Sequence, residues 1–282
     1  MEPSNPSFVF FGTPSIASNT LATLMEHGHV PSVVVTSPDA RRGRGMLLTP
    51  SPTREYAEAH NIRVLTPEKI TPEVIETLRA YGCTYALVVA YGKILPQALI
   101  DIYPKGILNI HYSLLPKYRG ASPVESALLH GEATTGVSIQ KMVKALDAGD
   151  VLTSKAVAIA PTETIRELRP RLIKEGSDLL LATLPSFLGD TATFTPQNPD
   201  EVTTCGKIAK EQGELHLDES GLKNWNTYRA FVESPGTYFY IQRGDKRQRV
   251  KIKTATYSDT VFTPLRVVPE GKAEMNYTDL IR

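Results

Sequence analysis

Four short runs in the first half of the chain, SFVFFG (Ser7 to Gly12), PSVVVTS (Pro31 to Ser37), CTYALVVA (Cys83 to Ala90) and GILNIH (Gly106 to His111), are β-branched, aromatic or aliphatic at successive positions. A strand with one wet face alternates apolar and polar residues. A strand that is apolar at neighbouring positions has to be covered on both faces, as in a parallel sheet sandwiched between helices. The stretches between the runs supply those helices: Ser15 to His27, Thr53 to His60 and Pro72 to Tyr81 place apolar residues at helical spacing. The expected fold class is therefore α/β, with a doubly wound Rossmann-like sheet. After Gly131, the runs GVSIQKMV and DVLTSKAVAIA (from Gly136 and Asp150) alternate in the way of antiparallel strands at one side of the sheet, and a long helix is expected from about Thr164 to Leu184.

The segment GDTATFTPQNPDEVTTC, Gly189 to Cys205, is dense in turn formers and reads as a linker. Beyond it, a helix from Asp218 to Val232 precedes the strand-like runs TYFYIQ, QRVKIKTATY and TVFTPLRVV. The expected division is a catalytic domain over 1–188, a linker over 189–206 and a small β domain over 207–282.

Lys and Arg together number 31 against 30 Asp and Glu, so a nucleic-acid partner would be met by a local patch and not by a global field. Cys83 and Cys205 stand at no metal-ligand spacing, which fits a reducing compartment. The start, MEPSNPSFVFFG, lacks a basic region and a long apolar core, and no stretch reaches the length of a membrane span. A soluble cytoplasmic protein with no membrane partner and no metal is expected.

Within the α/β half, FGTPSIA ends the first strand on Gly12, with Thr13 a candidate N-cap and Pro14 at the first helical position. Such a turn can present backbone N–H groups to a polar substrate group, although simple capping explains it as well. It does not spell GxGxxG, which disfavours a nicotinamide dinucleotide. Asn109 and His111 are two apart on a predicted strand and so face one side, at the carboxyl end where open α/β sheets bind ligands. The following SLLPKYRGASP has too many turn residues for helix or strand and is too apolar for a solvent loop; Leu114, Leu115 and Pro116 suit the wall of a pocket for a flat organic ligand, and Ser122 is a candidate N-cap for a helix restarting at Pro123. In LDAGD, Asp147 is either a turn aspartate satisfying its own backbone or a carboxylate that raises the pKa of a neighbouring imidazole and orients it. The loop SPDARRGRGMLLTPSPTRE carries Arg41, Arg42, Arg44 and Arg54 on a glycine-broken frame, either a solvated face or a surface for a phosphate backbone. A second basic region, Arg243, Lys246, Arg247, Arg249, Lys251 and Lys253, alternates along the later strands.

Taken together, FFGTPSIA, TSPDARRGRG, TPSPTRE, VVAYGKILP, NIHYSLLPKYRGASPVESALLHGEATTGVSI, LDAGDVL and VVPEGKAEMNYTDLI resemble the folate-dependent formyltransferases, and within them the branch that acts on methionyl-tRNA. The resemblance runs over nearly the whole chain. It implies transfer of a formyl group from 10-formyltetrahydrofolate to the α-amine of methionyl initiator tRNA; a monomer is expected. It also implies a catalytic trio at Asn109, His111 and Asp147, and folate held around Val89, Ala90, Tyr91, Gly92, Ile94 and Leu95 and around Ser113, Leu114, Leu115 and Pro116. A substrate pocket at Gly12, Thr13 and Pro14, tRNA contacts through Arg41, Arg42, Arg44 and Arg54, and a small OB-like tail follow from the same likeness. In that chemistry Asn109 and a protonated His111 would stabilise the oxyanion of a tetrahedral intermediate, with Asp147 raising the His111 pKa. Three features depart from the family pattern: Ile16 where an aromatic is frequent, Lys144 where an acidic or apolar residue is usual, and a tail with room for three or four strands instead of about five. Two enzymatic alternatives keep the same trio, a formyltransferase acting on an amino sugar nucleotide and a formyltetrahydrofolate hydrolase. A retired, non-catalytic RNA-binding protein is the reading from another class.

Overall fold

The computed structural model describes residues 7–42 and 45–282. Its first half runs β1 (Phe8–Gly12), α1 (Ser15–Glu26), β2 (Val33–Val35), β3 (Ala40–Arg42), β4 (Leu47–Thr49), α2 (Pro52–Ala59), β5 (Val64–Leu65), α3 (Pro72–Arg79), β6 (Tyr85–Val89), α4 (Gln97–Ile100) and β7 (Gly106–His111). The second half continues with β8 (Arg119–Gly120), α5 (Pro123–Leu129), β9 (Thr134–Lys141), β10 (Val151–Ala158), α6 (Ile165–Leu188), β11 (Thr204–Cys205), α7 (Gly221–Phe231), β12 (Thr237–Arg243), β13 (Lys246–Ser258), β14 (Val261–Pro269), β15 (Met275–Asn276) and α8 (Tyr277–Leu280). Among the described residues no helix is long and apolar enough to cross a membrane.

Seven strands form the main sheet in the order β10-β9-β7-β6-β1-β2-β5. The pairs β1–β2, β2–β5, β1–β6 and β6–β7 are parallel, and β7–β9 is antiparallel. Burial explains the composition of the strands: every residue of β1, β6 and β7 is buried, so each has to be apolar or hydrogen-bonded on both faces. Phe10 and Phe11 bury on opposite sides of β1, each contributing roughly 2–3 kcal/mol of apolar transfer. The chain lays strands outward from β1 through β2 to β5, then returns to place β6 on the other flank of β1. That reversal opens a crevice beyond the carboxyl ends of β1 and β6.

Two details differ from expectation. Helix α1 begins at Ser15 with Pro14 as its N-cap residue, so Thr13 lies outside the helix and caps nothing. The arginine segment is a two-stranded hairpin, β3 against β4, with Arg41 opposite Leu48. Arg44 and Gly43 lie outside the described residues, as does the side chain of Arg42.

The chain divides into two compact units. One takes the chain up to Arg119, then Gly136–Ala156 and Leu172–Thr204; the other takes Gly120–Thr135, Val157–Arg171 and Cys205–Arg282. In the first, Val9, Phe11, Val33, Leu78, Leu99 and Ile107 belong to one apolar cluster under the sheet. In the second, β12, β13, β14 and β15 make a four-stranded antiparallel sheet, and Leu215, Trp225, Tyr228, Phe239, Val250 and Val267 fill its core with α7. Helix α5 belongs to this unit. Gly131, just past its end, has a positive φ of 68°, and a Cβ there would lie 2.7 Å from Asn226 Nδ2 on α7.

Candidate active site

The crevice is closed by hydrogen bonds between the loops that follow β1, β2 and β6. Thr13 Oγ1 donates to the Tyr91 carbonyl at 3.3 Å and meets Ser37 Oγ at 3.2 Å, so Gly12 to Pro14 and Val89 to Leu95 converge. The approach is tight: a Cβ on Gly12 would stand 2.5 Å from Ala17 Cβ and 3.0 Å from the Val89 carbonyl oxygen. Ala90 and Gly92 both adopt positive φ, 46° and 78°, which turns the chain sharply after β6. Of this segment Val89, Tyr91 and Leu95 are buried, whereas Ile94 is 81% exposed. Burial pushes the Tyr91 hydroxyl up to about 12. A cleft of about 500 Å³ runs along Ile94, Leu95 and Pro96 and is rimmed by Lys69, Lys93 and Lys144 against Glu68.

Strand β7 carries the next pair. Asn109 lies opposite Gln140 and His111 opposite Ser138 in the antiparallel ladder with β9, so Asn109 and Gln140 are direct cross-strand neighbours. His111 is 5% exposed, and its Nε2 is 2.9 Å from the Tyr118 carbonyl oxygen. A carbonyl only accepts, so Nε2 carries the proton and Nδ1 is the nitrogen left towards Asp147. The Asp147 Oδ2 to His111 Nδ1 distance is 3.7 Å, close enough for strong electrostatic coupling and too long for a hydrogen bond. The Asp147 carboxylate is held from its other oxygen, Oδ1, by Gln140 Nε2 at 2.9 Å.

Burial pushes the His111 imidazole below its ordinary pKa. Asp147 and the bond to the Tyr118 carbonyl act in the opposite direction and do not overcome it. The raising effect expected of Asp147 is present, but desolvation of a nearly fully buried ring is the larger effect. The resting site is a neutral imidazole with a bare Nδ1 beside a carboxylate.

Structure thus brings together His111 and Asp147, and it places Asn109 across the β7–β9 ladder from Gln140, the residue that holds Asp147. The second segment expected to line the folate site begins directly after His111. Ser113 is buried, its Oγ donating to the Lys117 carbonyl at 2.5 Å, and Leu115 N donates to Ser138 Oγ at 3.0 Å, while Leu114, Leu115 and Pro116 are half-buried. Leu114 lies against Gly136, where a Cβ would meet its Cδ2 at 2.5 Å. The arginines behave differently. Arg54, on α2, pairs with Asp39 at 2.8 Å and Glu58 at 2.7 Å, and Arg41 Nη1 donates to the Met46 carbonyl at 3.2 Å. In the second unit the basic strand β13 exposes Arg247 and, half-buried, Arg249; their guanidinium carbons lie 3.9 Å and 5.3 Å from the ring centres of Tyr240 and Tyr238.

Sequence reasoning missed Gln140, Gln197 and the role of the Tyr118 carbonyl. The Asn109–Gln140 pairing becomes visible only once the β7–β9 register is known, and Gln197 sits in a segment without periodic pattern. Among the described residues no group of three or more His, Cys, Asp or Glu could hold a metal ion.

Comparison with known proteins adds a consistent picture. Residues 7–184 match the family described as formyl transferase. A protein of Methylobacterium sp. strain 4-46 named methionyl-tRNA formyltransferase is 38% identical over 97% of this chain and 95% of its own length. One of the same name from Lactobacillus johnsonii is 35% identical over 98% of this chain and 94% of its own. Among solved structures, an N-formyltransferase from Helicobacter canadensis, in complex with folinic acid and dTDP-3-aminofucose, superposes with a TM-score of 0.69 at 19% identity, covering 90% of this chain and 89% of that one. Phosphoribosylglycinamide formyltransferase from Bacillus halodurans gives 0.56 at 23% identity over 64% of this chain and 95% of its own.

Proposed function

The chain belongs to the formyl transferase family, and from that premise we propose that it transfers a formyl group from 10-formyltetrahydrofolate to the α-amine of methionyl initiator tRNA, the step that prepares the initiator for translation. What carries the choice of acceptor is the extent of the likeness, which includes the tail and the arginine segment as well as the catalytic half.

In this reading the free amine attacks the formyl carbon, and the carbonyl oxygen becomes an oxyanion. Asn109 donates a side-chain N–H to that oxygen. The bare Nδ1 of neutral His111 takes the proton released by the attacking amine, and Asp147 stabilises the imidazolium so formed. The same proton then passes to the departing folate nitrogen as the carbon–nitrogen bond breaks, which returns His111 to its resting state. No covalent bond to the protein is formed.

The folate rests against Val89 to Leu95 and Ser113 to Pro116, with its acidic tail along the lysine-rimmed cleft, whose charge is complementary. Gly12, Thr13 and Pro14 face the acceptor end, and Arg41, Arg42, Arg44 and Arg54 meet the tRNA backbone. The functional division is a catalytic domain over 1–188, a linker over 189–206 and a tail over 207–282, acting as a monomer in the cytoplasm.

One structural neighbour was solved with an amino sugar nucleotide, which keeps that acceptor as a second reading. The deciding assay supplies 10-formyltetrahydrofolate with methionyl initiator tRNA, uncharged tRNA or an amino sugar nucleotide. Formylated product from the charged tRNA alone is the expected result. Product from the sugar nucleotide alone would replace the reading, and folate consumption without any acceptor would point to hydrolysis.

A further inference from the structure

We infer that Gln197 and Arg119 form a positioning pair that sets the backbone turn carrying Asp147. The inference rests on the catalytic reading of Asp147 given above. Asp147 adopts a positive φ of 47°, a conformation that a non-glycine residue keeps only when its surroundings enforce it. The enforcement comes from the segment between α6 and β11. Gln197 Nε2 donates to the Asp147 carbonyl at 2.9 Å and to the Gly149 carbonyl at 2.7 Å. Its Oε1 accepts from Arg119 Nε at 3.0 Å and from Nη2 at 2.8 Å.

Both amide hydrogens and both acceptor positions of Gln197 are therefore used, and the side chain has one orientation that satisfies them. Main-chain bonds bring it there. Val151 and Thr195 exchange N–H···O bonds of 2.9 and 2.8 Å, while Thr203 accepts from Arg119 N at 2.9 Å and, through Oγ1, from Tyr118 N at 2.8 Å. Residues 195–203 thus clasp both loops of the site, the turn that offers Asp147 and the loop whose Tyr118 carbonyl fixes His111. The Asp147 carboxylate itself is oriented by Gln140. Gln197 fixes where that carboxylate starts from, and a displacement of about 1 Å there is enough to cost roughly 10–100-fold in rate. A segment that composition marks as a linker is, at this point, a brace.

Gln197→Glu separates the two halves of the contact, because a carboxylate still accepts from Arg119 and has no hydrogen for the two carbonyls. The expected result is faster backbone amide exchange over residues 146–150 and a kcat lowered by about tenfold or more, with KM for the folate within about twofold of wild type. In an Asp147→Asn background the same change should lower kcat by less than about twofold further, since the group it positions is already lost. Multiplicative losses in the double variant, or unchanged amide exchange in Gln197→Glu, overturn the inference. Should Gln197→Glu fail to fold, Arg119→Met loosens the glutamine while leaving its donors in place, and the same two measurements apply. If the wild-type protein transfers no formyl group, the functional reading falls, and the exchange comparison still decides whether Gln197 holds the turn.

Discussion

The crevice around His111 and the hairpin β3–β4 both lie in the first compact unit, and they are built on opposite plans. In the crevice, side chains are buried or half-buried and braced: His111 by the Tyr118 carbonyl, Asp147 by Gln140, the Asp147 backbone by Gln197, and Gln197 by Arg119. In the hairpin, Leu47 is 69% exposed with Met46 and Leu48 exposed beside it, and among the described residues Arg41 bonds within the hairpin, to the Met46 carbonyl. Under the proposed function, the difference follows from what each task would demand. Proton transfer and oxyanion stabilisation fall off steeply with misplacement, so their groups are fixed in advance. Attraction of a polyanion depends on charge near the surface and tolerates motion.

Removing a fixed group should be far costlier than removing a loose one. His111→Ala or Asp147→Asn is expected to lower kcat by about 10²-fold or more in the formyl-transfer assay. Near-normal turnover in either would erase the contrast. Gly149→Ala tests the brace from the backbone side: a Cβ there would stand 1.6 Å from the Lys141 carbonyl oxygen, so the turn has to move. A severe loss of activity is expected together with a lowered melting temperature, and wild-type activity would mean that the turn is softer than the geometry implies.

At the hairpin, Arg41→Ala should leave kcat at saturating tRNA close to wild type and reduce the slope of log affinity against log salt by about 1. An unchanged slope would make Arg41 a solvated residue. Arg54→Ala should change that slope less, because Asp39 and Glu58 already engage its guanidinium.

The smallest effect concerns acid. His111 has a lowered pKa in the folded chain, so the unfolded chain binds its proton more readily. Stability linked to this group is present above the unfolded value of about 6.5 and is lost as pH falls from there through the folded pKa. Melting temperatures measured between pH 7.5 and pH 5 should drop more steeply for wild type than for His111→Asn, and parallel curves would show that His111 does not govern this part of the acid response.

Much of the frame was legible in the sequence. Doubly apolar runs announce β1, β2, β6 and β7 because a sheet covered on both faces leaves no other pattern, and the i, i+2 spacing puts Asn109 and His111 on one face of β7. The arginine segment was misread as a plain loop, since its glycines mask the pairing of Arg41 with Leu48. Thr13 looked like a cap and instead ties two loops together, a role set by Tyr91 and Ser37 far along the chain. The raising effect of a carboxylate on His111 is foreseeable from LDAGD, whereas the burial that outweighs it depends on everything packed over the ring. Gln197 gave no signal, because a brace works through where its partners lie in space.

Helix α5 follows β7, the strand that carries Asn109 and His111, closely in sequence, yet it belongs to the same unit as α7 and the tail. The packing within that unit is specific. Trp225 Nε1 donates to the Pro161 carbonyl at 3.1 Å, Arg229 donates to the Ala160 and Glu163 carbonyls at 3.3 and 3.4 Å, and Arg169 joins Glu125 at 2.9 Å while also pairing with Glu233. A cut near residue 206 would part the tail from residues 120–135 and 157–171, so an exchange of tails at the bench has to move all three stretches together to keep these bonds.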